Sequence, residues 1–327
     1  MHTEEADTPE RLAPQGSLPE ELLPRQSASE LAHAILQREC DRLGVDVLFL
    51  KGEGAHIQGL RPPKQSSDVD ILLAPKDRDR LLAFLRSTGW SQRPVGHVGV
   101  ALDHAVTLYH PRWPIDIDIH RRIPGFGVPA EEAFEALHRR SVEVTLAHWS
   151  VTIPHRVDHA LLLALNTVRS PWEHQADSIL AYLSDSMSDT ELTELGIRIK
   201  EMCCGPEMAP FTAEYSRGLI PTDTSAPSRE WMLYQRQDHP AVLWLDAIQR
   251  APWHLKPALA IRAAVPSSQA MAADDLELTD ASVVTLARRR YRRFAQFVRS
   301  SPAALRSYRE FRRSLRTMPQ IDRERRA

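Results

Sequence analysis

Residues 48–73 read LFLKGEGAHIQGLRPPKQSSDVDILL. Leu48, Phe49 and Leu50 end the segment Val45–Leu50, VDVLFL, which is apolar except at Asp46 and reads as a buried strand. It leads into Lys51-Gly52-Glu53-Gly54 and then a short helix. Gly52 and Gly54 would let a phosphate approach the backbone where helix N–H groups are unpaired, and Lys51 adds a point charge. Taken alone, the same turn reads better as a plain tight turn, since many strand-to-helix turns contain two glycines. Sixteen residues beyond Gly52, Asp68-Val69-Asp70 enters a second strand, expected over Val69–Ala74. Carboxylates at i and i+2 leave the same strand face, close enough to bind one divalent cation. Hard oxygen ligands of this kind suit magnesium, which bridges to substrate phosphates.

Towards the C-terminus, Lys76–Thr88 carries Leu81, Leu82 and Leu85 at helical spacing and stops at Gly89. Ala105–Tyr109 and Ile115–His120 alternate around His110–Pro114 and predict a hairpin. In Ile115-Asp116-Ile117-Asp118-Ile119-His120, the residues Asp116, Asp118 and His120 share one face and the isoleucines share the other. Such a strand is either an edge open to water or the wall of an active site. Asp68 and Asp70 on a neighbouring strand favour the wall. Val142–Ala147 and Val151–Ile153 are shorter strand candidates, and beyond Pro154 the apolar period changes from two to 3.6. Towards the N-terminus, Ser27-Ala28-Ser29-Glu30 has the pattern of a capping box opening a helix that ends near Gly44.

The expected fold class is therefore α+β, a small mixed sheet with flanking helices followed by a mostly helical C-terminal domain. The expected organisation is a disordered leader over 1–26, an α+β domain over 27–155, a helical domain over 156–279 with an irregular connection at 203–229, and Arg-rich amphipathic helices over 280–327.

Composition sets the outer bounds. With 327 residues, 43% hydrophobic and 26% charged, the chain has enough apolar surface for a core and is not a disordered protein. No run approaches the ~20 apolar residues of a membrane span, and Met1 leads into Glu4, Glu5 and Asp7 rather than a basic and then apolar leader. A cytoplasmic protein with no membrane partner is expected. Cys40, Cys203 and Cys204 form neither a disulfide framework nor a zinc-ligand spacing. The net charge of -2 hides an asymmetry: from Thr285 to Ala327 fourteen Arg face three acidic residues. RNA contact through this tail is the less favoured reading, because Arg dominates over the five Lys throughout the chain.

Together, Lys51-Gly52, Asp68-Val69-Asp70-Ile71-Leu72-Leu73 and Ile117-Asp118-Ile119-His120 resemble the K-G, D-I-D-L-L-V and I-D-L-H series of the uncharacterised nucleotidyltransferase-like proteins in the polymerase-beta-type superfamily. The resemblance covers roughly residues 31–185, since Ile153-Pro154 and Asp158–Leu162 resemble the start of that family's helical half. It implies a sheet of the nucleotidyltransferase type, with Asp68, Asp70 and Asp118 as catalytic carboxylates holding Mg2+ or Mn2+. It further implies that Lys51, Gly52 and Gly54 hold the triphosphate of a nucleotide such as ATP. Lys64 stands where the family carries an Arg ahead of its D-x-D. Asp116 and His120 are further candidates, His120 for orienting the acceptor or touching phosphates. The implied activity is transfer of a nucleoside monophosphate from a nucleoside triphosphate to an acceptor, which is a small molecule, peptide or protein that the motifs do not specify. The alternative is a catalytically inactive relative that binds a peptide, protein or RNA. Glu53 beside the turn and the lack of Arg immediately before Asp68 support that alternative.

Overall fold

The structure is a computed structural model that describes residues 23–64, 66–93, 104–170, 175–236 and 240–264, together with 288, 291–292 and 305–313. Its elements run α1 (Arg25–Leu43), β1 (Val47–Leu50), α2 (Gly52–Ile57), β2 (Asp68–Leu73), α3 (Arg78–Ser87), β3 (Ser91–Gln92), β4 (Ala105–Tyr109), β5 (Asp116–His120), α4 (Ala130–His138), β6 (Val142–Leu146) and β7 (Trp149–Ile153). Helices then follow one another: α5 (Arg156–Arg169), α6 (Ala176–Asp185), α7 (Asp189–Glu201), α8 (Ala209–Glu214), α9 (Arg229–Tyr234), α10 (Pro240–Arg250) and α11 (Lys256–Ala264), with a further helical stretch at 305–313. The α+β class and the helical C-terminal part are as the sequence predicts.

The main sheet has the order β1-β2-β5-β4-β3. β2 and β5 are parallel neighbours, and every other pair in this sheet is antiparallel. β4 and β5 form the expected hairpin, and a second hairpin pairs β6 with β7. Ala147 and His148 both take positive φ in its two-residue turn (44° and 62°), the conformation that matches strand twist.

Side-chain alternation divides the sheet into two faces. Phe49, Val69, Ile71, Ile117 and Ile119 join the apolar residues of α1 and α3 in one core. Leu48, Leu50 and Leu72 project the other way, into a second core built on Leu161, Leu162 and Leu165 of α5. β1 is thus buried along its whole length, which is why its sequence is continuously apolar. The site described below lies on the α5 face, where β2 and β5 exchange leucine and isoleucine for carboxylates.

Three expectations need correction. α1 begins at Arg25, with Pro24 as N-cap and no side-chain cap; Ser29, expected in a capping box, is instead a buried helical residue against the sheet. The stretch 203–229 is not wholly irregular: it contains α8 and buries Cys204, Met208 and Phe211 in the α5 core, apolar contacts that its Pro and Ser content conceals. Trp231 and Trp244 pack as expected, but Trp253 is 83% exposed. Most of the leader over 1–26 and of the Arg-rich tail, and Trp172, lie outside the described residues. Among the described residues no helix is long and apolar enough to cross a membrane.

Candidate active site

The parallel register of β2 and β5 pairs Asp68 with Asp116, Asp70 with Asp118 and Leu72 with His120. Partners in register leave the same face of a sheet, so one face carries a double row of ionisable groups. At its centre the ligand atoms of Asp70, Asp118 and His120 all lie within 4.8 Å of one another. Asp70, 6% exposed, accepts the Lys51 ammonium on Oδ1 at 2.7 Å and the His120 Nε2–H on the same oxygen at 2.7 Å. An ionised carboxylate only accepts, so His120 carries its proton on Nε2, and its buried Nδ1 has no partner.

The three carboxylates differ in environment. Burial opposes ionisation of Asp70, but the Lys51 charge and the His120 hydrogen bond outweigh it and hold the carboxyl well below the usual range. Burial raises Asp118, a hydrogen bond from Thr107 opposes this, and the Asp70 charge raises it further. Burial also raises Asp68, reinforced by the charges of Asp70 and Asp118. Asp118 Oδ1 is buried without a hydrogen-bond partner, and a buried orphan acceptor is costly unless something completes it. Two carboxylates and an imidazole with spare acceptor capacity are a donor set that fits a divalent cation.

The turn after β1 is held from the helical side. Lys51 takes φ 55°, ψ -139°, a conformation that a residue with a Cβ adopts at a cost. Its N–H donates to His159 Nε2 at 2.7 Å, while His159 Nδ1 lies 2.8 Å from Gln58 Oε1 and Gln58 Nε2 donates to the Pro154 carbonyl at 2.9 Å. Nε2 must therefore be bare and Nδ1 protonated, giving a neutral imidazole. Burial and the Arg61 charge lower the His159 pKa to about 3, in agreement with that tautomer. Gly52 also has positive φ (42°). Gly54 has a packing reason to be glycine: a Cβ there would lie 2.9 Å from Ile153 Cγ2, so its missing side chain lets α2 close on β7.

The structure brings together Lys51, Asp70, Asp118 and His120. Asp68 is coupled to them by charge but is not one of the three groups that converge. Asp116 points into a bidentate pair with Arg93, Nε to Oδ2 at 2.5 Å and Nη2 to Oδ1 at 2.8 Å. Lys64 is exposed, and its carbonyl accepts from Arg61 Nη2 at 2.6 Å. Arg61 is the cation that the sequence reading missed. It feels the charges of Glu53, Asp68 and Asp70, and at seven residues from Asp68, across Pro62-Pro63, its approach to the carboxylates has no local sequence signal. His159 was also missed, because a histidine inside an apolar helical run looks like core. Beside the carboxylates a cleft opens between the sheet and α5, lined by Leu50, Lys51, His120, Leu162, Asn166 and Arg169.

Among solved structures, the chain is similar to an antigenic nucleotidyltransferase-like protein from Paracoccidioides brasiliensis, at 10% identity and TM-score 0.36 over 61% of this chain and 97% of that one. It is also similar to the lincosamide antibiotic adenylyltransferase LnuA, at 13% identity and TM-score 0.33 over 48% and 96% of the two chains. A third is the antibiotic-resistance factor ANT(2'')-Ia, at 10% identity and TM-score 0.37 over 53% and 91%. No curated protein matches the chain in sequence. The family described as uncharacterised nucleotidyltransferase matches residues 24–186, about half of the chain. That span contains β1, β2, β5 and the N–H partner of Lys51 on α5, and over it the chain belongs to the uncharacterised nucleotidyltransferase family.

Proposed function

We propose that the chain is a metal-dependent enzyme that transfers a nucleoside monophosphate from a nucleoside triphosphate to an acceptor hydroxyl or similar oxygen, releasing pyrophosphate. The observation that carries this reading is the convergence of Asp70, Asp118 and His120 to within 4.8 Å, on adjacent parallel strands, beside the Lys51 turn. Asp68, Asp70 and Asp118 hold Mg2+ or Mn2+. When bound, the metal neutralises charge on the α-phosphate and on the departing pyrophosphate. Lys51 and Arg61 meet the triphosphate, with Gly52 at the turn; the contact of Lys51 with Asp70 and the charges of Asp68 and Asp70 felt by Arg61 support this. The acceptor oxygen forms a bond to the α-phosphorus as the bond to the β-phosphate bridging oxygen breaks. Asp118, made more basic by burial and by Asp70, takes the acceptor proton, and His120 orients the acceptor. The acceptor enters through the cleft against α5.

The test is incubation of the full chain with each of four α-labelled nucleoside triphosphates and Mg2+ or Mn2+, with small molecules, peptides and total RNA as acceptors. Label on an acceptor, with equimolar pyrophosphate and full dependence on the metal, is the expected result. Label transferred from the γ position, or no metal-dependent triphosphate binding, contradicts it.

A further inference from the structure

Asp70 Oδ1 is shared. It accepts the Lys51 ammonium and the His120 Nε2–H, each at 2.7 Å, and the same carboxylate belongs to the group of three whose ligand atoms lie within 4.8 Å. A divalent cation at that group needs an oxygen of Asp70, and an ammonium 2.7 Å from Oδ1 fills one of the two and repels the arriving charge. We propose that Lys51 is a built-in competitor for the metal position: its ammonium closes Asp70 to a divalent cation until a triphosphate draws it away.

Four observations support this. Asp70 is 6% exposed, and a buried carboxylate without a counter-charge is unfavourable, so some cation must accompany it in every state. The Lys51 side chain, 24% exposed, can reach an incoming ligand, and its flexible stem lets Nζ move. The Lys51 backbone, in contrast, is pinned by His159 through Gln58 to the Pro154 carbonyl, so the exchange needs a side-chain rotation and no rearrangement of the turn. Finally, Lys51 satisfies only one member of the group: Asp118 Oδ1 remains buried without a hydrogen-bond partner, the capacity that an arriving cation would use.

Lys51 then has two alternative anions, Asp70 and a triphosphate. Metal and triphosphate favour each other's binding by linkage, reciprocally, and the resting protein does not load the metal alone. The triphosphate half of this inference rests on the nucleotidyl-transfer reading. The competition for Asp70 does not.

The experiment measures Mn2+ binding to the full chain by titration calorimetry, with and without a non-hydrolysable nucleoside triphosphate, for wild type, Lys51→Met and, to mark the site, Asp70→Asn. Lys51→Gly is the second variant, because glycine suits the φ of 55° and keeps the test available if the Met variant does not fold. Without nucleotide, removing the ammonium is expected to tighten Mn2+ binding at least about fivefold, the lower end of ordinary coupling between sites. The triphosphate should tighten Mn2+ on wild type by a larger factor than on the Lys51 variants, which keep only the coupling that the phosphates themselves provide. Lys51 variants that bind Mn2+ no better than wild type overturn the competition while leaving the enzyme reading intact. Tighter binding by the variants with no response of wild type to triphosphate overturns the nucleotide half alone. Mn2+ binding by none of them, with or without triphosphate, overturns the metal site and the competition with it.

Discussion

Asp70, Asp118 and Asp116 are chemically identical side chains in three different states, and the neighbours of each decide its role. Asp70 is ionised because Lys51 and His120 outweigh its burial. Its folded pKa lies below the unfolded value, so its stabilising contribution is complete above the unfolded pKa of about 4 and is lost as pH falls through the folded value. Asp70→Ala should therefore do more than remove a ligand. It removes the acceptor that Lys51 and His120 share, and a loss of about 1–3 kcal/mol in urea unfolding is expected; Asp70→Asn, which retains an acceptor, should lose less. Asp116 and Asp118 provide a sharper contrast. Asp118→Asn should abolish transfer and weaken Mn2+ binding, whereas Asp116→Asn breaks the pair with Arg93 and should retain most of both, measured at matched thermal melts. The opposite pattern would place the site around Asp116. The sequence made the shared face of Asp116, Asp118 and His120 legible, because strand alternation is a local property. It did not show that Arg93 takes Asp116 or that Lys51 takes Asp70, since those partners lie 23 and 19 residues away and meet only through strand pairing.

At the scale of elements, α5 links the helical part to the site. His159 on its first turns holds the Lys51 amide, and Asp158 beside it is fully buried, accepting from Arg198 Nε of α7 at 2.5 Å and from Arg140 Nε, just beyond α4, at 2.9 Å. Asp158→Ala leaves the buried Arg198 without its main anion and should cost about 3–5 kcal/mol, read as a lowered melting temperature. His159 predicts a pH dependence. Its pKa is lowered from the ordinary 6.5 to about 3, so between those values the unfolded chain takes up a proton that the folded chain refuses. Stability is complete above pH 6.5 and falls towards pH 3, by up to about 1.4 kcal/mol per pH unit from this residue. Buried His33, also lowered by burial, acts in the same direction. Denaturant melts across that window should show the slope, and His159→Gln should flatten it. Gly54→Ala tests the closure of α2 on β7: a Cβ 2.9 Å from Ile153 should cost about 1–3 kcal/mol. Strands and helices were legible here from their periods. Helix starts were less so: the Ser27–Glu30 pattern is not a cap, whereas the same pattern at Ser188 and Glu191 forms a capping box at the start of α7.

On the scale of the whole molecule, the step that local pattern could not supply is the strand order. The sequence predicts the β4–β5 hairpin but not that β5 returns to lie parallel with β2, because that contact closes a long crossover whose geometry has no local signal. The carboxylates therefore became a site through their resemblance to a motif series, and the sheet order gives the physical reason. The C-terminal helices were similarly underread. Phe311 is fully buried against Met232, Leu233, Tyr234 and Leu243, with Arg229 and Arg236 over its ring at 5.9 and 5.4 Å. Phe311→Ala should cost about 3–5 kcal/mol, so removing the tail to test RNA binding would also strip a packed residue from α9 and α10; charge reversals on its Arg residues are the cleaner test. The central claim is that Asp70 and Asp118 form a metal centre at the middle of this sheet. It is tested most directly by crystals grown with Mn2+ and a non-hydrolysable nucleoside triphosphate, with anomalous scattering collected at the manganese edge. The expected result is an anomalous peak about 2.1 Å from oxygens of Asp70 and Asp118, with Lys51 turned from Asp70 to the phosphates. Ordered triphosphate with no peak at these carboxylates, and Lys51 still on Asp70, would contradict it.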